Sequence, residues 1–323
     1  MQNTNIKRRN FIANSAKLGA GFALLGANLL NAKNNSQGAN MQTITLNNGV
    51  KMPILGFGTY QIPNNQAQGC VEDAISVGYR LIDTAQAYAN EEGIGAALKN
   101  ALNSGLKRQD LFIETKLWIS HANEKDAFKA FESSLKKLGL DYIDLYIIHQ
   151  PFNDTYGAYR AMSKLYKEGR IKAIGVSNFY PDRITDFCAF NEIKPAINQI
   201  EMHPFFAKFD EQKINEDLSV KVQSWASFAE GKNNAFKNPT LMQIGKKYGK
   251  TPAQVMLRWL IERGVIVIPK TTKKARMIEN FSVFDFTLNA EDKSKIASLD
   301  ENKSLFLDHR NPATVQFLSS YKA

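Results

Sequence analysis

Eight short, nearly unbroken apolar runs limit how this chain can fold. They are PILGFGT (53–59), RLIDTA (80–85), LFIETKL (111–117), YIDLYIIH (142–149), IKAIGVSN (171–178), AINQIEM (196–202), VKVQSWA (220–226) and VIVIPK (265–270). A strand with one face in water alternates polar and apolar residues; these do not, so they must be buried on both faces. Between them lie stretches of helical periodicity. In KDAFKAFESSLKKLGL, Ala127, Phe128, Phe131, Leu135 and Leu138 fall on one face. NPTLMQIGKKYGK and TPAQVMLRWLIERG are two more, the second opened by Thr251 as N-cap with Pro252 at the first helical position. Eight strand–helix units over about 240 residues predict an α/β fold, a (β/α)8 TIM barrel. Ahead of them, TITLNNGVKMP places Asn-Asn-Gly between two alternating runs and predicts a β-hairpin. Residues 299–323 carry little periodicity and read as a tail across the surface.

Charge and cysteine usage narrow the class. The net charge is +10, but the first 32 residues hold Lys7, Arg8, Arg9 and Lys17 and no acid; without those four, 37 basic residues face 31 acidic ones, or +6. No basic stripe interleaved with aromatics accompanies that surplus, so it reads as solvated surface with no nucleic-acid partner. Two cysteines, Cys70 and Cys188, exclude a disulfide scaffold and a zinc cluster. They fall in the helices after the first and fifth runs, across a barrel from each other, so both should be free thiols. Four histidines, His121, His149, His203 and His309, include no His-x-His pair on a first strand, which argues against a metal-dependent barrel hydrolase. No metal is expected.

The segment KRRNFIANSAKLGAGFALLGANLLNA resembles a twin-arginine export signal: Arg8-Arg9, an aromatic at Phe11, a mildly apolar stretch and a small-residue end at Asn31-Ala32. Asn14, Ser15, Lys17 and Asn28 interrupt it too often for a transmembrane helix. No cysteine follows to take a lipid. Residues 1–40 therefore read as signal peptide and flexible spacer, and 41–323 as the barrel domain. The expectation is a periplasmic monomer delivered by the twin-arginine export machinery, with no stable membrane anchor after processing; if the signal is not functional, the protein is cytoplasmic.

In such barrels chemistry gathers at the C-terminal ends of the strands. Taken in order, the runs end in Asp83, Lys116, His149, Ser177-Asn178, Gln199 with Glu201, Trp225 and Lys270, and Tyr88 follows Asp83 closely. Singly, a lysine after a strand is usually solvated and a histidine is usually a satisfied core residue. Converging with a phenol beside them, an acid, a lysine and a histidine make a site. A free phenol has a pKa of about 10 and donates poorly at neutral pH. A buried ammonium beside it should favour phenolate and lower that pKa, with Asp83 as counter-charge and His149 orienting a carbonyl oxygen. That is a general-acid site for a carbonyl receiving a hydride. GFG at 56–58 is too short for the dinucleotide fingerprint of a doubly wound fold. PKTTKKAR instead sets Lys270, Lys273, Lys274 and Arg276 around Thr271, either a solvated basic turn or a clamp for an extra phosphate.

GYRLIDTAQAYANEEGIGAAL, IETKLW, YIDLYIIHQP, GVSNF and IPKTTKKARMIENF, in this order and spacing, resemble the aldo-keto reductase family over residues 43–300, and most closely its bacterial branch of 2,5-diketo-gluconate and methylglyoxal-type reductases. The resemblance implies a catalytic tetrad of Asp83, Tyr88, Lys116 and His149. Tyr88 would give the proton, Lys116 and Asp83 would tune it, and His149 would orient the substrate. It implies NADPH in preference to NADH. Gly58, Thr59 and Asp83 would lie by the nicotinamide, Ser177, Asn178 and Gln199 on its carboxamide, and Trp225 stacked on its ring. Lys270, Thr271 and Arg276 would hold the 2′-phosphate, and Glu279 and Asn280 the adenine. Many relatives read His-Trp-Pro where this chain has His149-Gln150-Pro151, so that side of the substrate pocket should be smaller or more polar. Tyr60, Trp118 and His149, with Phe152 and His203, would form the remaining wall; Phe205 and Phe206 read as core. The implied activity is reduction of a small-molecule aldehyde or ketone to the alcohol. The alternative is a cofactor-binding redox sensor or regulatory subunit on the same barrel, as potassium-channel β subunits are.

Overall fold

The computed structural model describes residues 42–322. The segment carrying the export-signal expectation, residues 1–40, lies outside the described residues.

The expected hairpin is present. Strands β1 (Thr43–Thr45) and β2 (Lys51–Pro53) pair antiparallel, with Thr43 opposite Pro53. Gly49 closes the turn at a φ of 85°, a left-handed conformation that glycine takes without a Cβ penalty. Asn47 Nδ2 donates to Pro195 O (2.8 Å) and Asn48 Nδ2 to Lys172 O (2.9 Å). Both acceptors sit at the N-terminal ends of barrel strands, so the hairpin is tied to the end of the barrel opposite the strand tips that carry the polar residues.

Eight parallel strands follow: β3 (Gly56–Gly58), β4 (Leu81–Asp83), β5 (Phe112–Leu117), β6 (Ile143–Ile148), β7 (Ile171–Ser177), β8 (Ile197–Glu201), β9 (Lys221–Trp225) and β10 (Ile266–Val267). Each pairs with the next in chain order. The two edges meet at a seam, where Leu55 bridges Val267, Val267 N donates to Ile54 O (2.9 Å) and Gly58 N donates to Pro269 O (3.2 Å). The strands are buried almost throughout, as unbroken apolar runs require.

The helices are α1 (Asn64–Val77), α2 (Glu91–Asn103), α3 (Glu124–Leu138), α4 (Thr155–Lys167), α5 (Pro181–Phe190), α6 (Phe209–Asp217), α7 (Pro239–Tyr248), α8 (Pro252–Glu262), α9 (Lys274–Phe281), α10 (Ala290–Ala297) and α11 (Pro312–Ser320). Helix α3 starts where Asn123 accepts from Asp126 N (2.9 Å) and stops at Gly139, whose φ is 66°. It buries Ala127, Phe131, Leu135 and Leu138, while Phe128 on the margin of that face is half-buried. Thr251 and Gln254 form a reciprocal capping box on α8, with Pro252 in its first turn. Cys70 in α1 and Cys188 in α5 are buried free thiols.

The C-terminal stretch departs from the expected featureless tail. Asn311 caps α11 by accepting from Ala313 N (2.9 Å), and the helix buries Leu318 against Trp118 and Ile119. Trp118 Nε1 donates to Tyr321 O (2.7 Å). One buried side chain in nine residues leaves no periodic signal for sequence reading to detect.

Candidate active site

The alternation of a β-strand puts residues two apart on one side. Lys116 on β5 therefore points into the barrel mouth, where its side chain is fully buried. It forms an ion pair with Asp83, the last residue of β4, and donates to Thr84 O (2.9 Å) and to Tyr88 Oη (3.3 Å). A single helical turn, Gln86–Tyr88, delivers the phenol and ends at Ala89 with a φ of 53°. Asn90 fixes this loop: it accepts from Thr84 Oγ1 (2.8 Å) and donates to Thr59 O (2.9 Å) and Ile62 O (3.0 Å). His149 is set at the tip of β6 by its N–H, which donates to Leu117 O (3.0 Å). Its ring meets Tyr88 edge-on at 5.7 Å and Trp118 at 5.0 Å, and Tyr60 lies 5.1 Å from Tyr88 on the outer side. Asp83, Tyr88, Lys116 and His149 thus share one mouth with Tyr60 and Trp118.

The electrostatics differ from the sequence expectation in one respect. Burial pushes the Tyr88 phenol up to about 12, and the opposing pull of the Lys116 ammonium does not overcome it. Removing a phenolate from water costs more than one neighbouring charge returns, because Asp83 already neutralises that charge. Burial alone would favour neutral Lys116, yet the Asp83 carboxylate paired with it raises its pKa, so it stays an ammonium. Burial, then the Lys116 charge and His309, hold His149 well below the usual imidazole range. Its ring is neutral at physiological pH, and its Nδ1 is buried without a partner.

The other candidates surround this mouth. Thr59 Oγ1 donates to Asp83 O (2.8 Å), and Gly58 stands in register with Asp83. Ser177 Oγ donates to Gln199 O (2.8 Å). Asn178, at a φ of 62°, donates to Gln150 Oε1 (3.1 Å) and accepts from Trp225 Nε1 (2.9 Å). Gln199 turns inward, giving its amide to Asp83 Oδ1 (3.1 Å) and Gln223 Oε1 (2.9 Å). After β10, Thr271 is buried while Lys270, Lys273 and Arg276 are exposed and form no ion pair among the described residues; Lys274 is engaged by Asp73 (2.8 Å). Asn280 is buried, and Glu279 accepts from Thr251 Oγ1 (2.6 Å) at the α8 cap.

His203 is not brought to the mouth. It is 0% exposed and bonded to Glu201 (3.0 Å), while Phe205 is core and Phe206 is half-buried beneath the Lys208 ammonium (4.4 Å). Phe152 stacks on His309 at 6.2 Å, and both line an open cleft of about 470 Å³ with Asn178, Tyr180 and Arg183. Sequence reasoning passed over three residues. His309 enters from the C-terminal segment, which showed no pattern. Gln223 and Glu114 lie inside the barrel, and Glu114 had a legible signal: it shares the parity of Lys116 on β5. Among the described residues no group of histidine, cysteine and carboxylate side chains could hold a metal ion.

Residues 54–301 match the Aldo/keto reductase family. A glyoxal reductase of Bacillus subtilis (strain 168) is 42% identical over 263 residues, spanning 81% of this chain and 94% of that enzyme. A methylglyoxal reductase of Escherichia coli (strain K12) is 43% identical over 270 residues, spanning 83% of this chain and 96% of that one. Among solved structures, an aldo-keto reductase of Bombyx mori in complex with NADP superposes with a TM-score of 0.79 at 34% identity, covering 83% of this chain and 96% of that chain.

Proposed function

The chain belongs to the aldo/keto reductase family, and on that premise we propose that it reduces an aldehyde or ketone to the alcohol, with hydride from NADPH and a proton from Tyr88. The observation that carries this reading is the Lys116 ammonium, ion-paired with Asp83 and 3.3 Å from Tyr88 Oη.

The donors after β10 suit the extra phosphate that distinguishes NADPH. Lys270, Lys273 and Arg276 offer cations with no ion-pair partner among the described residues, and Arg276 adds a planar fork for phosphate oxygens. When bound, the cofactor supplies the hydride. Tyr88 would give its proton to the carbonyl oxygen as the π pair shifts onto that oxygen. The raised phenol pKa does not oppose this step. At about 12 the group is fully protonated at neutral pH, and a developing alkoxide is a stronger base still. Lys116 then faces the resulting phenolate across 3.3 Å and stabilises it until solvent returns the proton. Neutral His149 is a hydrogen-bond donor to the substrate oxygen that carries no competing charge.

The relatives named for glyoxal and methylglyoxal make small α-oxoaldehydes the first substrates to test. Gln150 supports a small or polar group on its side of the mouth, since Asn178 takes only its amide oxygen and its N–H donors have no protein acceptor among the described residues. Mixing the protein with NADPH and methylglyoxal should consume the reduced nicotinamide, followed by its absorbance. No consumption with methylglyoxal, glyoxal or any of a panel of aromatic aldehydes and ketones would sink the reading.

A further inference from the structure

Beneath the catalytic mouth lies a second carboxyl that the reaction above does not use. Glu114 on β5 is 0% exposed and stands in register with Asp83 on β4 on one side and with Leu145 on β6 on the other. Its Oε1 accepts from Gln223 Nε2 (2.6 Å). The orientation of that amide is fixed, because Gln223 Oε1 already accepts from Gln199 Nε2, which also donates to Asp83 Oδ1. Glu114 Oε2 is left buried with no donor to accept from. The residue beside Glu114 on the neighbouring parallel strand is Asp83, its register partner, whose side chain falls on the same side of the sheet and is likewise buried, and two buried carboxyls side by side favour a proton on one of them.

We propose that Glu114 is a positioning residue: held as a neutral carboxylic acid, it donates its proton to Asp83 and so fixes the net charge beneath Tyr88. The charged and titratable groups facing it are Asp83 from β4 and Lys116 from its own strand, with Tyr88 beyond them. Strands β8 and β9 bring only the neutral amides of Gln199 and Gln223. With Glu114 neutral, Asp83 and Lys116 cancel, and Tyr88 sits above a balanced pair. Ionised Glu114 would leave a net negative charge there and oppose the phenolate that proton donation creates. Burial first, then the Asp83 charge, raise the Glu114 pKa well above the ordinary carboxyl range, in the same direction. The role in turnover rests on the reductase reading; the charge state does not.

The amide of Glu114→Gln can donate to Asp83 and accept from Gln223, so it copies the neutral acid and cannot ionise. In full-length protein, infrared difference spectra at neutral pH should show a protonated-carboxyl stretch in the wild type that is missing from Glu114→Gln. The variant should keep kcat within about threefold at neutral pH. The alkaline fall of kcat, set in the wild type by ionising Glu114, should move to higher pH in the variant. Glu114→Ala should lower kcat about tenfold with KM for NADPH unchanged, and Glu114→Gln should restore it; if the alanine variant does not fold, the glutamine variant alone decides. Identical carboxyl spectra, or identical pH profiles, in wild type and Glu114→Gln would overturn the proposal. A protein inert toward every carbonyl would retire the reductase reading and leave the infrared result to decide Glu114.

Discussion

Lys116 Nζ sits between two groups of opposite need: it is ion-paired with the Asp83 carboxylate and lies 3.3 Å from the Tyr88 hydroxyl. On the proposed reading Asp83 keeps the lysine charged in a dry site, where it can face a phenolate, and Tyr88 is the proton donor. Tyr88→Phe keeps the ring, its packing on Tyr60 and His149, and the ion pair, and deletes only the proton. Carbonyl reduction should fall about a thousandfold. The dissociation constant for NADPH, followed by fluorescence titration, should stay within about twofold. Weak cofactor binding in this variant would refute the division of roles.

Asp83 and Lys116 were legible because each is a polar residue near the end of an apolar run, where a barrel opens, and Tyr88 because it follows Asp83 closely. The direction of the Tyr88 shift was not legible. A sequence shows which charges are near neighbours, but the cost of desolvation depends on how tightly other segments close over the phenol, here Tyr60 and His149. His203 misled for the opposite reason: it follows a barrel strand as a site residue would, yet the turn after β8 leaves it fully buried with its Nε2 on Glu201. Glu114 left only the parity signal, because it lies two residues before Lys116 inside β5 and does not mark a strand end. Helix α11 had no signal to give, because its attachment runs through one leucine and the backbone carbonyl of Tyr321.

Cofactor choice should lie in the segment after β10. Arg276 is exposed, at the start of α9, and forms no ion pair among the described residues, so its guanidinium is open to a phosphate. Charge-assisted hydrogen bonds contribute about 1.5–3 kcal/mol each, so Arg276→Ala should narrow the preference for NADPH over NADH by about tenfold or more. The ratio of kcat/KM for the two cofactors measures this directly. An unchanged ratio would count against the clamp.

Stability should fall on the acid side. Burial, followed by the Lys208 charge, lowers His309 to about 4, and burial lowers His149 well below its ordinary value. Both are neutral in the fold and bind protons more readily once unfolded. Their contribution is therefore complete above about pH 6.5 and is lost as pH falls through the unfolded value toward the folded one. For His309 alone the loss reaches about 3 kcal/mol at pH 4. Urea midpoints measured from pH 8 to pH 4 should drop, and His309→Asn should flatten part of the slope. An equally steep slope in that variant would exclude His309 as a source.

We propose that Arg8-Arg9 directs export. Residues 1–40 fused to a reporter should carry it to the periplasm of a Gram-negative host, and replacing Arg8 and Arg9 by lysine should hold it in the cytoplasm. Export by this route carries folded proteins, so NADPH could cross already bound. A reporter that stays inside with both arginines intact would rule the signal out.

Gly58 joins the first barrel strand to the last. A Cβ added to it would lie 2.5 Å from Ile268 O, a backbone atom that no rotamer change can move, and Gly58 N donates to Pro269 O (3.2 Å) across the same seam. Its φ is not positive, so the need for glycine comes from the closeness of the two strands and not from backbone conformation. Gly58→Ala must push the seam apart, at a cost of about 1–3 kcal/mol for an overpacked interior site. The urea midpoint should fall with the slope of the transition unchanged. Gly69 in α1 is the control: it is exposed, and a Cβ added there would meet nothing within 4 Å. Gly69→Ala should be neutral or add up to about 1 kcal/mol through helix propensity. Equal midpoints for the two variants would mean that the strand ends at the seam can yield to a methyl group, and that barrel closure does not demand glycine there.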